Sequence, residues 1–313
     1  MNKLWAVCTY FNYAGFKSLY NNYFIFANAL KKQNINLLTV ELAFGDAPYQ
    51  IPESHNVVRL RSGSVMWQKE RMINYALDVL PSSCEYIAWL DGDILFREND
   101  WVDMAINKLE NEKNQLIQLY ARAWYMPKGQ LLIKPGNKGY WIVPGIIAQN
   151  LKHENWLSRR LRQDLPFSQP GFAWAANRKW LKDAGGIFDK GVVGSGDVHF
   201  IDGCIGSWEL HKHSPSIYYE AGAYKYAGFL YDYFKNMQER KPKYDFINAN
   251  VYHLHHGELK NRKYQERKYI LCKNDFDPLT DIVLRNNVYE WATDKPEMHQ
   301  SIRQYFVDRQ EDT

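Results

Sequence analysis

The chain has 313 residues, of which 46% are hydrophobic and 24% charged, with a formal net charge of +4. This composition is typical of a globular domain and excludes disordered and fibrous proteins. The net charge is too small to indicate nucleic-acid binding, and the four scattered cysteines suggest neither a zinc knuckle nor a disulfide framework. The N-terminus runs straight into an apolar strand, without a signal sequence or membrane span, so we expect a cytoplasmic enzyme.

Hydrophobic periodicity predicts that strands and helices alternate in the first third of the chain. Strands are predicted at 4–9, 35–42, 56–59 and 86–90, and helices at 16–33 and 67–80. This alternation predicts a mainly parallel α/β sheet, with ligands at the carboxyl ends of its strands. Farther along we predict a helix at 101–112, a strand at 115–119, a loop-rich hairpin at 126–145 and glycine-punctuated loops from about residue 169.

Asp91-Gly92-Asp93 is the sharpest chemical signal. The two carboxylates lie between the apolar runs 87–90 and 94–96, where unpaired charges would be costly. Paired carboxylates at the end of a buried strand are typical of a hard-oxygen site for Mg²⁺ or Mn²⁺ that bridges a diphosphate. We therefore expect Asp93 to bind the cation and Asp91 to lie at the cofactor.

A second group of candidate ligands follows near residue 253. Histidines at alternate positions of a strand face the same side, and imidazole is a normal ligand of Mn²⁺, so His253 and His255 are candidate metal ligands. The basic segment after them contains Lys260, Arg262 and Arg267, which could stabilise a departing diphosphate. An exposed helix N-terminus explains these cations equally well.

The order of three motifs resembles that of the inverting GT-A glycosyltransferases, over roughly residues 4–260. These motifs are the polar-aromatic turn at 9–12, the run YIAWLDGDILF at 86–96 after a basic helix, and Gly194-Ser195-Gly196-Asp197. The resemblance implies a Rossmann-like fold with Mn²⁺ or Mg²⁺ as cofactor and a nucleotide-diphosphate sugar as donor. We expect a catalytic domain at 1–262, divided near residue 105 into nucleotide-binding and acceptor-binding halves, and a helical extension at 263–313.

The resemblance also assigns roles to individual residues. It places Thr9, Tyr10 and Asn12 at the base and ribose. It places Gln68, Lys69 and Arg71 near the base or phosphates, although an exposed helix face is as good an interpretation of these three. The acidic loop supplies Asp197 as the general base, with Gly196 leaving room for the sugar. Asp202 remains an alternative base, because the usual acidic pair is replaced by Asp197-Val198.

The segment 170–177 contains Trp174, a candidate stacking platform for the donor or acceptor sugar, although core packing would also suit this residue. The acceptor could be a glycan, a protein or a nucleic acid. Arg159, Arg160 and Arg162 give weak support for a modified nucleic-acid base as acceptor.

Three other functions were weighed against glycosyl transfer. A haloacid-type phosphatase needs a Thr or similar group two positions after the second Asp, where this chain has Leu95. A nucleotidyltransferase expects a Gly-rich, Arg-bearing loop after the first strand, which the turn at 10–13 is not. A non-catalytic carbohydrate- or nucleotide-binding module would keep the aromatic residues without a base, and it would show no metal-dependent hydrolysis of nucleotide sugars.

Overall fold

A computed structural model describes residues 3–133, 138–208, 215–264 and 266–313. Within these residues the main sheet has the strand order β10-β6-β9-β4-β1-β2-β3. Its strands are β1 (Leu4–Tyr10), β2 (Leu37–Phe44), β3 (Val57–Ser62), β4 (Tyr86–Leu90), β6 (Leu116–Gln118), β9 (Ala173–Asn177) and β10 (Tyr244–Phe246). All neighbours pair in parallel except β9, which is antiparallel to both β4 and β6. The predicted α/β class with a mainly parallel sheet is therefore confirmed.

Helices cover both faces of this sheet, as the nearly continuous burial of its central strands requires. On β1, Val7 packs into one apolar cluster, whereas Leu4, Ala6 and Cys8 pack into the other. The helices are α1 (Lys17–Lys32), α2 (Lys69–Val79), α3 (Trp101–Glu110), α4 (Ile146–Lys152), α5 (Trp156–Leu161), α6 (Arg178–Asp183), α7 (Gly196–Ile205), α8 (Pro215–Glu220), α9 (Tyr224–Arg240), α10 (Lys268–Lys273) and α11 (Pro296–Asp308). Among the described residues, no helix has the length and apolar character needed to cross a bilayer.

A second, smaller sheet has the order β5-β11-β7-β8. Its strands are β5 (Ile94–Phe96), β7 (Arg122–Tyr125), β8 (Trp141–Pro144) and β11 (Asn250–His253). Strands β7 and β8 form the predicted hairpin, of which residues 134–137 lie outside the described residues. Strand β11 pairs antiparallel with β5 directly after the Asp-Gly-Asp turn, which brings two distant parts of the chain together.

The prediction that Trp174 is a stacking platform for a sugar is wrong, and its alternative, core packing, holds. Residues 173–177 form β9, the central antiparallel strand. Ala175 and Ala176 give this strand flat faces against its neighbours, and Trp174 is 1% exposed within the core. Its indole N–H donates to the carbonyl oxygen of Pro170 at 2.8 Å, so Trp174 cannot serve as a sugar platform.

The segment after residue 262 contains the expected helices α10 and α11 and also a hairpin, β12 (Ile282–Arg285) with β13 (Val288–Trp291). The hairpin is fixed to the start of α2 by Gln68. The Gln68 amide donates to the Tyr289 carbonyl oxygen at 2.9 Å and accepts from the Tyr289 N–H at 2.7 Å. Gln68 therefore holds the C-terminal segment in place and does not face a nucleotide. The division of the chain into two halves and an extension stays a prediction.

Candidate active site

A cavity of about 800 Å³ opens at the carboxyl ends of β1 and β4. The first-strand turn, the Asp-Gly-Asp turn, the start of α7 and the C-terminal segment all line it. This is the edge at which a parallel sheet of this kind presents its loops. Of the predicted residues, the following line the cavity: Thr9, Tyr10, Asn12, Lys69, Asp91, Asp93, Asp197, His253, His255, Arg262 and Arg267.

Asp93, His253 and His256 lie at one point of this cavity, with one potential ligand atom of each within 4.8 Å of the others. His256 Nε2 lies 3.1 Å from Asp93 Oδ2 and 2.9 Å from His253 Nε2. Backbone pairing creates this meeting, because His253 is opposite Ile94 in the β5–β11 ladder and the Leu254 N–H donates to the Asp93 carbonyl oxygen. The cluster offers one oxygen and two nitrogen ligands.

The second histidine of the cluster is His256, so the prediction that His253 and His255 share a face is wrong. Strand β11 ends at His253, and the two-residue alternation ends with it. The His255 ring instead lies 2.8 Å, through Nε2, from the carbonyl oxygen of Thr313. Both histidines of the cluster are buried, and this burial, together with the charge of Arg262, lowers the pKa of His253 to about 3 and of His256 to about 4. They are neutral imidazoles, the form that binds metals.

Asp91 pairs with Lys69, whose Nζ lies 2.5 Å from Asp91 Oδ1. Burial opposes the charge of Lys69, but Asp91 and Asp197 outweigh it, so the pKa of Lys69 is raised. Burial raises the pKa of Asp91 to about 6 against the opposing charge of Lys69. Lys69 is thus a partly buried cation whose charge is favoured by two acidic groups of the cavity.

Asp197 lies in the first turn of α7, and its carboxylate passes close to Gly171. A Cβ atom at Gly171 would lie 2.8 Å from Asp197 Oδ2, so this position has room for the carboxylate only as glycine. Asp202 lies farther along α7, is 1% exposed, and accepts a hydrogen bond from the Ser207 hydroxyl at 2.6 Å. Asp202 does not line the cavity, so the structure favours Asp197 of the two acids.

Three other predicted residues do not line the cavity. Arg71 pairs with Asp189 at 3.4 Å, on the far side of α2. Lys260 is exposed on a short 3₁₀ helix. Gly196 is buried, and a Cβ atom there would lie 2.5 Å from both Glu70 Cδ and the Phe188 carbonyl oxygen. The absence of a side chain at Gly196 makes room for protein atoms, not for a sugar.

The predicted first-strand residues are held by a local network. The Asn12 side chain accepts from the Phe16 N–H at 2.8 Å and donates to the Phe16 carbonyl oxygen at 2.9 Å. The Tyr10 hydroxyl donates to Gln50 in a short hydrogen bond. The Asn12 side chain therefore holds the shape of the turn. Thr9, Tyr10 and Asn12 all line the cavity.

Several residues that line the cavity were not among the predicted ones, namely Glu70, Phe306, Arg309 and Glu311. Glu70 is 3% exposed, and burial, opposed by Lys69 and reinforced by Asp197, raises its pKa to about 8. Glu311 is fully buried and pairs with Arg262 at 3.1 Å. Nothing local in the sequence connects residue 311 with residue 256.

The fold is similar to that of several solved transferases. Comparison finds a Drosophila β1,4-galactosyltransferase 7, in complex with manganese, UDP-Gal and xylobiose (12% identity, 63% of this chain and 58% of that one, TM-score 0.33). It also finds a mannosyltransferase from Pyrobaculum calidifontis with GDP-Man and Mn²⁺ (10% identity, 97% of this chain and 69% of that one, TM-score 0.43). A third similar structure is the 4-diphosphocytidyl-2C-methyl-D-erythritol synthase of Anaerococcus prevotii (12% identity, 86% of this chain and 95% of that one, TM-score 0.35).

These similarities concern the fold alone. The matched structures include two glycosyltransferases, the class that the sequence motifs resemble, and a synthase of another activity. The chain spans less than two thirds of the galactosyltransferase structure, 58% of it. No protein-family model matches the sequence, and no curated protein is similar to it.

Proposed function

We propose that the chain is a metal-dependent glycosyltransferase, which moves a sugar from a nucleotide-diphosphate donor to an acceptor hydroxyl with inversion. One observation carries this proposal: the Asp93–His253–His256 cluster and the carboxylate of Asp197 line the same cavity. The first group suits a cation that binds a diphosphate, and the second suits a base that removes the acceptor proton. Groups suited to the two functions that sugar transfer requires thus line one cavity.

Two features of the cluster suit a divalent cation: the types of its ligand atoms, and a buried carboxylate oxygen that lacks a hydrogen-bond partner. Asp93 Oδ1 is buried and has no hydrogen-bond partner among the described residues. A carboxylate with two neutral imidazoles suits Mn²⁺ better than Mg²⁺, which prefers oxygen ligands. When bound, the cation neutralises charge on the departing diphosphate. Asp93, His253 and His256 would hold it.

Arg267 supplies a cation for the diphosphate from the protein itself. It is 6% exposed and lines the cavity, where it donates to the hydroxyls of Ser195 at 2.7 Å and Tyr305 at 2.8 Å. No carboxylate among the described residues forms an ion pair with it. A buried guanidinium without an acidic partner is costly unless an anion binds there. Arg262, in contrast, is already paired with Glu311.

Aromatic side chains line two sides of the cavity. Phe11, Tyr13, Trp67 and Phe306 form one side, with Trp67 and Phe306 stacked at 6.2 Å. Beside the hairpin, Tyr125 stacks on Trp141 at 4.9 Å. We assign the first side, next to Thr9 and Tyr10, to the nucleoside. The side with Tyr125 and the half-exposed Trp141 is assigned to the acceptor.

Asp197 acts as the general base in this proposal. Removal of the acceptor proton is general-base catalysis, which contributes ~10²–10⁴-fold, so Asp197→Asn lowers kcat by about that factor. Binding of the donor changes little, because this carboxylate acts on the acceptor. The assay is release of UDP or GDP from a panel of nucleotide sugars with Mn²⁺, together with calorimetric titration of the nucleotide.

Asp202→Asn is the matched control on the same helix, because Asp202 does not line the cavity. Its kcat stays near that of the parent. If Asp202→Asn loses turnover while Asp197→Asn keeps it, the base is misassigned. If the parent releases no nucleotide from any donor in the presence of Mn²⁺, the chain is a binding module. A product that keeps the anomeric configuration of the donor contradicts the inverting chemistry.

The acceptor class remains open within this proposal. A modified nucleic-acid base is one alternative, and Arg160, which lines the cavity, is the one member of the predicted basic cluster positioned to meet it. Binding of single-stranded or duplex DNA that weakens steeply with salt would favour it. A glycan or protein acceptor predicts no such dependence.

A further inference from the structure

The carboxylate of Glu311 lies beside the metal cluster although it is 55 residues from His256 in sequence. The side chain is fully buried and lines the cavity. Glu311 Oε2 lies 3.4 Å from His256 Nδ1, and Oε1 lies 3.1 Å from Arg262 Nη1 and in short contact with Arg309 Nε. One carboxylate therefore contacts a candidate metal ligand and two buried guanidinium groups.

The surrounding backbone fixes this carboxylate in place. The Ser18 hydroxyl donates to the Glu311 carbonyl oxygen at 2.7 Å. The next residue, Asp312, accepts from the N–H groups of Lys17 and Ser18 at 3.1 and 2.7 Å, at the start of α1. Gly257 permits the close approach, since a Cβ atom there would lie 2.8 Å from Glu311 Cα. Glu311 is thus held by contacts that do not involve the metal cluster.

The two nitrogens of the His256 ring face different partners. Nε2 faces Asp93 and His253, the other members of the cluster, whereas Nδ1 faces Glu311. Arg262 contacts the same nitrogen and also donates to the His256 carbonyl oxygen at 2.9 Å. Because Arg262 in turn pairs with Glu311, the carboxylate fixes this edge of the ring both directly and through the guanidinium.

The charge of Glu311 is a second, separate reason to expect that this residue favours cation binding. Arg262 and Arg309 are both buried beside the cluster, and each pairs with Glu311. Without this carboxylate, two positive charges would repel a divalent cation across a medium of low dielectric constant. Glu311 therefore favours cation binding both by orienting His256 and by neutralising its neighbours.

We propose that Glu311 is a positioning residue of the metal centre, which holds the ring of His256 in place and neutralises the two arginines beside it. This inference rests on the proposed function, in that the cluster must bind a cation. It extends that function, because it makes the last residues of the C-terminal segment part of the metal centre.

Calorimetric titration with MnCl₂, in the absence of nucleotide, tests the inference on the full chain. The parent binds Mn²⁺, and His256→Ala abolishes binding. Glu311→Gln weakens Mn²⁺ binding ~10–100-fold, the usual effect of removing a carboxylate behind a histidine ligand. Asp312→Asn is the matched control, because this neighbouring acid contacts α1 and not the histidines, and its Mn²⁺ affinity stays within twofold of the parent's.

Inorganic pyrophosphate, titrated in EDTA, separates this role from general loss of structure. Glu311→Gln frees Arg262 and Arg309, so metal-free pyrophosphate binds at least as tightly as to the parent, whereas a disrupted cavity would bind it more weakly. Should Glu311→Gln fail to fold, Glu311→Asp keeps the charge but shortens the reach, and it too weakens Mn²⁺ binding. A folded Glu311→Gln or Glu311→Asp with parental Mn²⁺ affinity would overturn the inference. A parent that binds no Mn²⁺ would instead defeat the proposed function.

Discussion

Glu70 shows how the environment of one residue changes its chemistry. Its carboxyl group is buried against α7, where the Trp67 indole N–H donates to Oε2 at 3.1 Å. Burial, opposed by Lys69 and reinforced by Asp197, raises its pKa from 4.5 to about 8. Glu70 is therefore protonated at neutral pH, so no second negative charge lies beside the Asp197 carboxylate.

This raised pKa makes stability depend on pH. Between pH 4.5 and about 8 the folded protein keeps the Glu70 proton and the unfolded chain releases it. The contribution of Glu70 is therefore complete below pH 4.5 and is lost as pH rises through this range. Each unit of pKa shift corresponds to about 1.4 kcal/mol, so the loss is several kcal/mol.

Glu70→Gln removes the titration and keeps the shape. We expect the melting temperature of the parent to fall relative to that of Glu70→Gln as pH rises from 5 to 8, since Gln cannot ionise in the buried position. Thermal denaturation at several pH values measures this difference. Parallel curves for the two proteins would show that Glu70 is not protonated in the folded state.

At the residue scale, the sequence predicted residues at strand ends and turns better than residues on helix surfaces. Asp91, Asp93 and Asp197 line the cavity, because their positions follow from strand ends and from a glycine-rich turn. Arg71 and Lys260 do not, because a basic side chain on a helix surface has no such constraint. Whether the residues that do line the cavity bind substrate stays a prediction.

Helix α7 is the element that positions Asp197. Its first residue, Gly196, packs against Glu70 and against the backbone of Phe188 so closely that a Cβ atom would lie 2.5 Å from each. The Phe188 carbonyl oxygen cannot move aside as a flexible side chain could. The contacts of Gly196 with Glu70 and with the Phe188 backbone therefore fix the position of the first turn of α7, which carries Asp197.

Gly196→Ala should destabilise the protein by ~1–3 kcal/mol, as overpacking of a filled core does. Gly228→Ala is the matched control on a helix, because Gly228 has open space around its Cα, and Ala there should stabilise by ~0.5–1 kcal/mol. Urea denaturation of the two variants gives both values. Equal stability of Gly196→Ala and the parent would contradict the packing described for α7.

At the element scale, the prediction was best where local periodicity decides the structure. The strand at Tyr86–Leu90 has the predicted bounds, and α1 and α3 differ from prediction by one or two residues at an end. Strand β9 was missed, because a small-residue segment after Pro170-Gly171 has no periodicity and gains its structure only from pairing with β4 and β6. His256 was missed for a similar reason, since the end of β11 depends on tertiary contacts.

At the scale of the whole molecule, the cavity is formed by segments from both ends of the chain. The first-strand turn and the Asp-Gly-Asp turn supply one part, and Arg267, Phe306 and Glu311 supply another. Sequence patterns report on neighbours along the chain, so they placed residues 263–313 in a separate extension. The contacts show that this segment lines the same cavity as Asp93.

The central claim is that the Asp93 cluster binds a divalent cation that in turn binds a nucleoside diphosphate. Calorimetric titration of UDP and of GDP, each with MnCl₂ and with EDTA, tests it on the parent, Asp93→Ala and His255→Ala. We predict that one nucleotide binds the parent only with Mn²⁺, and that Asp93→Ala weakens binding at least ~10-fold, or about 1.4 kcal/mol. His255→Ala, whose ring contacts Thr313, binds like the parent. If a folded Asp93→Ala binds the nucleotide with Mn²⁺ as tightly as the parent does, the account is contradicted.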